Sequence, residues 1–287
     1  MSFRSQVGDV RRRLLSGLYR RPVPLGTRGP IITFSFDDFP RSALTTGAAV
    51  LESFGARATY YVTMSLMNAK NDLGEQFRND DLHSVLDRGH ELASHTFSHL
   101  SARQVRYDVF KGDVERGEQA IREETGMPGS GNFAYPYGDV TLGAKKRLGP
   151  ELKSCRGTCG GLNGPDVDLN LLRANSLYGD LDRADAAKRL ILENEEQGRW
   201  LIFYSHDVAA KPSPFGCTLK LLEAVCSFAA AREARFMTVA QVMKDLEQQR
   251  DPGPIAQLQT SHTSLCQSSC VPPTRSDDSS KTVSTRS

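Results

Sequence analysis

The run IITFSFDDFP, residues 31–40, decides how the rest of the chain is read. Its apolar stretch from Ile31 to Phe36 ends abruptly on two adjacent carboxylates, Asp37 and Asp38, and Pro40 cannot continue a strand. A strand this apolar fits a parallel sheet covered on both faces better than a half-exposed antiparallel one. Working outward, ATYYV (58–62), HELAS (90–94), GNFAYP (131–136), LKSC (152–155) and WLIFYS (200–205) read as further strands, with a short last one at RFMT (235–238). Helical stretches fall between them near 42–53, 79–88, 102–125, 140–148, 183–198, 218–232 and 239–249. Strands alternating with helices at this spacing predict parallel βαβ units, in a barrel or an open sheet. About seven such units in ~220 residues fit one barrel domain better than two domains.

The 287 residues are 39% hydrophobic and 24% charged, a globular balance that excludes a wholly disordered chain. No run approaches the roughly 18 uncharged apolar residues of a membrane span. The net charge of +2 is unevenly placed: residues 1–30 hold seven Arg against one Asp, and residues 250–287 hold four basic against three acidic residues. The body between is therefore acidic, which argues against nucleic acid as a partner, since phosphate contacts need clustered Lys and Arg. Phe3, Val7, Val10, Leu14 and Leu18 recur at helical spacing among arginines. Residues 1–29 thus form a basic amphipathic segment, a peripheral membrane contact or a helix packed on the body, ended by a linker at Pro22, Pro24, Gly26 and Gly29. Those arginines interrupt any secretory signal, so a cytoplasmic location is expected. The six cysteines are expected to be reduced and not metal ligands, because a chain of this size needs no disulfide staples. Residues 250–287 hold four Pro, five Thr and nine Ser and are expected to be a disordered tail, leaving 30–249 as the folded domain.

In a parallel α/β barrel the functional groups gather at the carboxyl ends of the strands. Here Asp37 and Asp38 follow one strand, His95 and His99 another, Tyr137, Gly138 and Asp139 a third, and His206 and Asp207 a fourth. Any one of these has a bland reading as a cap, a turn or a surface histidine; together, each at a strand end, they predict one shared site. Two histidines four apart, on a helical turn or tight loop, can aim both rings at one metal ion. With one carboxylate they make a two-His, one-Asp site open to water and substrate. Zinc suits that donor set best, and cobalt, nickel or manganese also fit. A neighbouring carboxylate as base and a histidine across the site as acid complete the parts of metal-assisted amide or ester hydrolysis. His83, His90 and His262 lack such context and read as structural or solvated, and Tyr60 and Tyr61 as core and barrel wall.

In these residues the sequence resembles the polysaccharide deacetylases of the NodB-homology type, carbohydrate esterase family four, over roughly Pro30 to Leu246. SFDDFP resembles the family's Thr-Phe-Asp-Asp-Gly motif, SHTFSH its His-Ser/Thr-x-x-His motif, FAYPYG its Arg-x-Pro-Tyr-Gly motif and FYSHDV its closing Leu-x-His. The resemblance implies a distorted (β/α)7 barrel that removes N-acetyl groups from N-acetylglucosamine-containing oligo- or polysaccharide of the chitooligosaccharide or exopolysaccharide kind. It implies Asp37 as catalytic base, His206 as catalytic acid, and Asp38, His95 and His99 as metal ligands. It also implies that the backbone amide of Tyr137 joins the oxyanion site.

The sequence departs from the pattern in places. Ala134 stands where the third motif has the Arg that orients the base, Phe39 replaces Gly and is expected to put bulk beside the site, and Tyr204 replaces Leu. The Asp-x-x-Asp-Trp motif that tunes the acid is missing, which leaves Arg173, Asp180 or Asp182 to assist His206. An amidohydrolase of a small non-sugar amide and a catalytically silent carbohydrate-binding protein are the competing readings.

Overall fold

The computed structural model describes residues 15–26 and 29–250, so the N-terminal helix proposed from Phe3 to Leu18 lies mostly, and the Ser/Thr/Pro-rich tail wholly, outside the described residues. The strands in chain order are β1 (Pro22–Pro24), β2 (Ile31–Asp38), β3 (Ala58–Val62), β4 (Lys70–Asn71), β5 (Gly74–Glu75), β6 (Glu91–Ser94), β7 (Asn132–Ala134), β8 (Ser154–Arg156), β9 (Asp166–Asp168), β10 (Asn175–Ser176), β11 (Trp200–Ser205) and β12 (Arg235–Phe236). The helices are α1 (Ala49–Ser53, entered through a π-helical turn at Ala43–Ala48), α2 (Asn79–Asp87), α3 (Tyr107–Thr125), α4 (Leu142–Arg147), α5 (Ala184–Gln197), α6 (Leu219–Ala230) and α7 (Val239–Arg250).

Seven parallel strands curl in the order β10-β11-β2-β3-β6-β7-β8, with β12 pairing beside the start of β2. The two ends of this sheet do not pair strand to strand. The segment between β9 and β10 bridges them instead, as the amides of Cys155 and Gly157 donate to Leu169 and Leu172 and the amide of Ala174 donates to Cys159. That irregular seam is the distortion in a (β/α)7 barrel.

All eight residues of β2 are buried, as a strand with neighbours on both faces requires. One strand face packs on the outer helices, with Phe34, Phe36, Tyr60 and Leu92 against Leu51, Ile191 and Val225. The other face joins Tyr61, Ala93, Ala134 and Ile202 with Val239, Val242, Met243 and Leu246 of α7. Helix ends follow local chemistry: the Thr218 hydroxyl accepts from the Leu221 amide at the start of α6, and Gly126 and Gly198 end α3 and α5 in the left-handed conformation.

Residues 22–24 differ from the linker expected there. They form β1, antiparallel to β9, with Val23 and Leu25 buried. Lys145, fully buried, fixes this segment by donating to the Leu15 carbonyl and pairing with Asp168. The short β10 also escaped sequence reading, because two residues carry no periodicity. No described helix is long and apolar enough to cross a membrane.

Candidate active site

The carboxyl ends of β2, β6, β7, β8, β10 and β11 surround one cleft of about 520 Å³. Asp37, Asp38, His95, His99, Tyr137 and His206, the six residues singled out in the sequence, all line it. At the end of β2 the chain turns sharply: Asp38 and Phe39 both take positive φ, 63° and 71°. This turn brings into one cleft two carboxylates that a continuing strand would have sent to opposite faces.

Asp38 faces the two histidines. Its Oδ1 lies 3.3 Å from His99 Nε2 and 3.9 Å from His95 Nε2. One ligand atom from each of the three residues falls within 4.8 Å of the others, a spacing that suits a single ion. The donor chemistry fits as well. His95 Nδ1 donates to the Ala134 carbonyl at 2.7 Å, which leaves the Nε2 lone pair aimed at Asp38. Burial pushes the His95 imidazole down to about 4, so it is neutral and able to ligate. Thr63 Oγ1 donates to Asp38 Oδ1 and holds that side chain in place.

The His-x-x-x-His segment is a loop, not a helical turn, with Thr96 and His99 at φ 67° and 56°. Helix α3 seats it. The Asp113 carbonyl and carboxylate accept from the amides of Phe97 and Ser98, and Gly117 one turn later lies close under the loop. A Cβ at Gly117 would stand 2.8 Å from the Thr96 carbonyl carbon, so only glycine allows this approach.

Asp37 is separated from that trio by its partner. Arg156, at the end of β8, places Nη2 2.5 and 2.6 Å from the two Asp37 oxygens. Arg156 is fully buried, donates through Nη1 to the Gly157 carbonyl, and lies 4.8 and 5.0 Å from the ring centres of Tyr61 and Tyr204. Burial pushes the Asp37 carboxyl up, but Arg156, with smaller contributions from His95 and His206, outweighs it and holds the group below the usual carboxylate range. Asp37 is thus a fixed, ionised carboxylate.

Sequence reading missed Arg156. Arg156 pairs directly across β7 and β8 with Ala134, the position at which the resembled motif has arginine. A signal was present, since Arg156 follows the strand candidate at 152–155 just as the other site residues follow theirs.

His206 closes the far side. Its Nδ1 donates to the Phe215 carbonyl at 3.1 Å, which leaves Nε2 as the exchangeable position. Arg173, Asp180 and Asp182, expected to assist it, are engaged elsewhere: Arg173 with the Gly160 carbonyl, Asp180 with Thr218, Asp182 with Arg183. Phe39 is also placed differently from expectation. It is fully buried and stacks on Phe77 at 5.1 Å, so its bulk fills core and leaves the cleft open. Tyr137 is 65% exposed, adopts φ 58°, and sets its ring 4.4 Å from that of His99.

Comparison with known proteins bears on this geometry. The polysaccharide deacetylase family pattern matches residues 25–149, which span Asp37, Asp38, His95, His99 and Tyr137. Over those residues the chain is similar to the polysaccharide deacetylases. No curated protein sequence matches it. Among solved structures, a Mycobacterium smegmatis protein assigned to the polysaccharide deacetylases is 14% identical, with a TM-score of 0.58 over 80% of this chain and 96% of that one. The Xyl-CE4 domain of a multidomain xylanase from the hindgut metagenome of Trinervitermes trinervoides is 16% identical, with a TM-score of 0.54 over 76% and 91%. A peptidoglycan N-acetylglucosamine deacetylase is 14% identical, with a TM-score of 0.53 over 81% and 96%. At these identities the likeness is one of fold. The family match ends before Arg156 and His206, so those two rest on the geometry alone.

Proposed function

We propose that the domain is a metal-dependent deacetylase of N-acetylglucosamine-containing oligo- or polysaccharide, releasing acetate and a free amino sugar. The observation that carries this reading is the division of one cleft into a two-histidine, one-carboxylate trio and a separate carboxylate locked to Arg156. A divalent ion held by Asp38, His95 and His99, zinc by preference, would supply Lewis acidity toward the amide carbonyl and lower the pKa of water.

The chain's own groups do the rest. Asp37, kept ionised and unable to rotate, accepts the proton of the attacking water. Arg156 is a positioning residue that acts through Asp37. The backbone amide of Tyr137 donates to the developing oxyanion, a contact typically worth ~3–4 kcal/mol. His206 Nε2 delivers a proton to the departing nitrogen while Nδ1 stays on the Phe215 carbonyl. Aromatic walls from Tyr178, Tyr204 and Phe215 suit the apolar face of a sugar ring.

The test is acetate release from chitooligosaccharides. Release is expected to stop on chelation and return with added zinc or cobalt. Release that survives chelation removes the metal reading, and none on any acetylated sugar points to a small-amide hydrolase.

A further inference from the structure

Behind the catalytic cleft lies a second groove of about 440 Å³, bounded by β10, β11, α5 and the loop after β11. Its walls are mostly hydrocarbon: Leu177, Ala186, Ala187, Leu190, Phe203 and Pro214. Arg183, the charged side chain on its wall, is largely exposed and pairs with Asp182 at 3.7 Å. Tyr178 belongs to both spaces, as a wall of the cleft on one side and of the groove on the other. Phe215 meets the Tyr178 ring edge-on at 6.0 Å and completes the ridge between them.

Exposed apolar side chains follow closely in sequence on the groove residues Gly179 and Pro214. Leu181, Phe215 and Leu219 are 50%, 52% and 40% exposed, although each is a large hydrophobic side chain. They flank one junction, where Gly179 donates to Gly216, Thr218 donates to Gly179, and the Thr218 hydroxyl donates to Asp180. A cluster of exposed apolar groups bordering a functional cleft marks a surface that is covered in use. The groove is a poor place for another sugar ring, whose hydroxyls would lose water and find few partners among these walls. A hydrocarbon chain gains by leaving water there and loses no hydrogen bonds.

We propose that the substrate is a glycolipid: its N-acylated sugar sits in the cleft and its hydrocarbon aglycone crosses the Tyr178–Phe215 ridge into this groove. The occupant is part of the substrate because Tyr178 walls both the cleft and the groove, so the two spaces adjoin at one side chain. The assignment rests on the deacetylase reading of the cleft and narrows it to lipid-linked acceptors.

The experiment compares the methyl and octyl glycosides of N-acetylglucosamine, the latter well below its micelle-forming concentration, on the zinc-loaded protein. Binding is followed by calorimetry and turnover by acetate release. Ala186→Trp fills the groove from an exposed position of α5 and leaves the catalytic groups untouched. The octyl glycoside is expected to bind at least ~10-fold more tightly and to show a matching fall in KM, since each buried methylene is worth a factor of about four. In Ala186→Trp that preference should disappear while the methyl glycoside behaves as before. Equal affinity for the two glycosides, or a preference that survives Ala186→Trp, overturns the groove assignment. An octyl preference that Ala186→Trp abolishes, without acetate from either glycoside, would uphold the groove and remove the deacetylase reading instead.

Discussion

Replacing Arg156 by Met tests the site at its most exposed assumption, that a guanidinium displaced by one strand does the work of a base-orienting arginine. The variant keeps the bulk between Tyr61 and Tyr204 but leaves the Asp37 carboxylate buried without its cation. Two unit charges about 4 Å apart interact by about 4 kcal/mol at an effective dielectric near 20. Desolvation of the arginine offsets part of this, while removing one partner of a buried pair typically costs about 3–5 kcal/mol. Stability should therefore fall by about 3 kcal/mol, and kcat by about 100-fold or more as Asp37 loses its fixed orientation.

With Arg156 gone, burial is the leading influence left on Asp37, so its pKa rises and the acid limb of the kcat profile moves to higher pH. The decisive arm is the double variant Ala134→Arg with Arg156→Ala. The two positions are direct partners across β7 and β8 and lie at one level, so an arginine at 134 can reach the same carboxylate. Acetate release from chitooligosaccharide, measured from pH 5 to 9, should recover by at least about 10-fold over the Arg156→Ala single variant. Full activity in Arg156→Met, or loss of activity with an unmoved acid limb, would refute the positioning role.

The remaining predictions concern the metal, the loop and the fold. Asp38→Asn, His95→Gln and His99→Gln should each abolish zinc binding in calorimetry, whereas His206→Ala should bind zinc normally and lose roughly 10²–10⁴-fold in kcat. Gly117→Ala presses a Cβ onto the backbone of the loop that carries His95 and His99, so zinc affinity should fall at least about 10-fold while helix content by circular dichroism stays unchanged. Glu118 packs its carboxyl against Gly129, with one oxygen buried and unpartnered, and burial pushes it up to about 7. Because the folded chain keeps a proton that the unfolded chain has released, stability falls as pH rises from about 4.5 to 7 and is flat beyond. Glu118→Gln should accordingly raise the melting temperature by several degrees at pH 8, a gain of about 2–3 kcal/mol, and much less at pH 5. An equal gain at both pH values would show that the carboxyl is solvated.

Much of the site could be read from the chain because each part of it is local. Metal ligation needs particular residue types, a parallel barrel delivers them at strand ends, and the strands announce themselves through apolar runs such as those at 31–36 and 200–205. Asp38, His95 and His99 therefore stood out in one dimension before converging in three. The loop geometry at His95 to His99 was not legible, since the positive φ at Thr96 and His99 is imposed by α3 and not by those residues' own preferences.

Phe39 and Arg156 mark the boundary most sharply. Phe39 had the size to narrow the cleft, but the turn at Asp38 and Phe39 and the rings of Tyr60 and Phe77 send it into the core. Arg156 is 119 residues from Asp37, and nothing nearby in the sequence binds the two together. The sequence by itself determined the strand–helix alternation and which carboxylates and histidines stand at the strand ends, because those depend on residue type and short spacing. Only the tertiary structure decided which cation holds Asp37 and which walls adjoin the cleft. Both depend on the register between neighbouring strands and on where helices pack, and these are set by burial across the whole barrel.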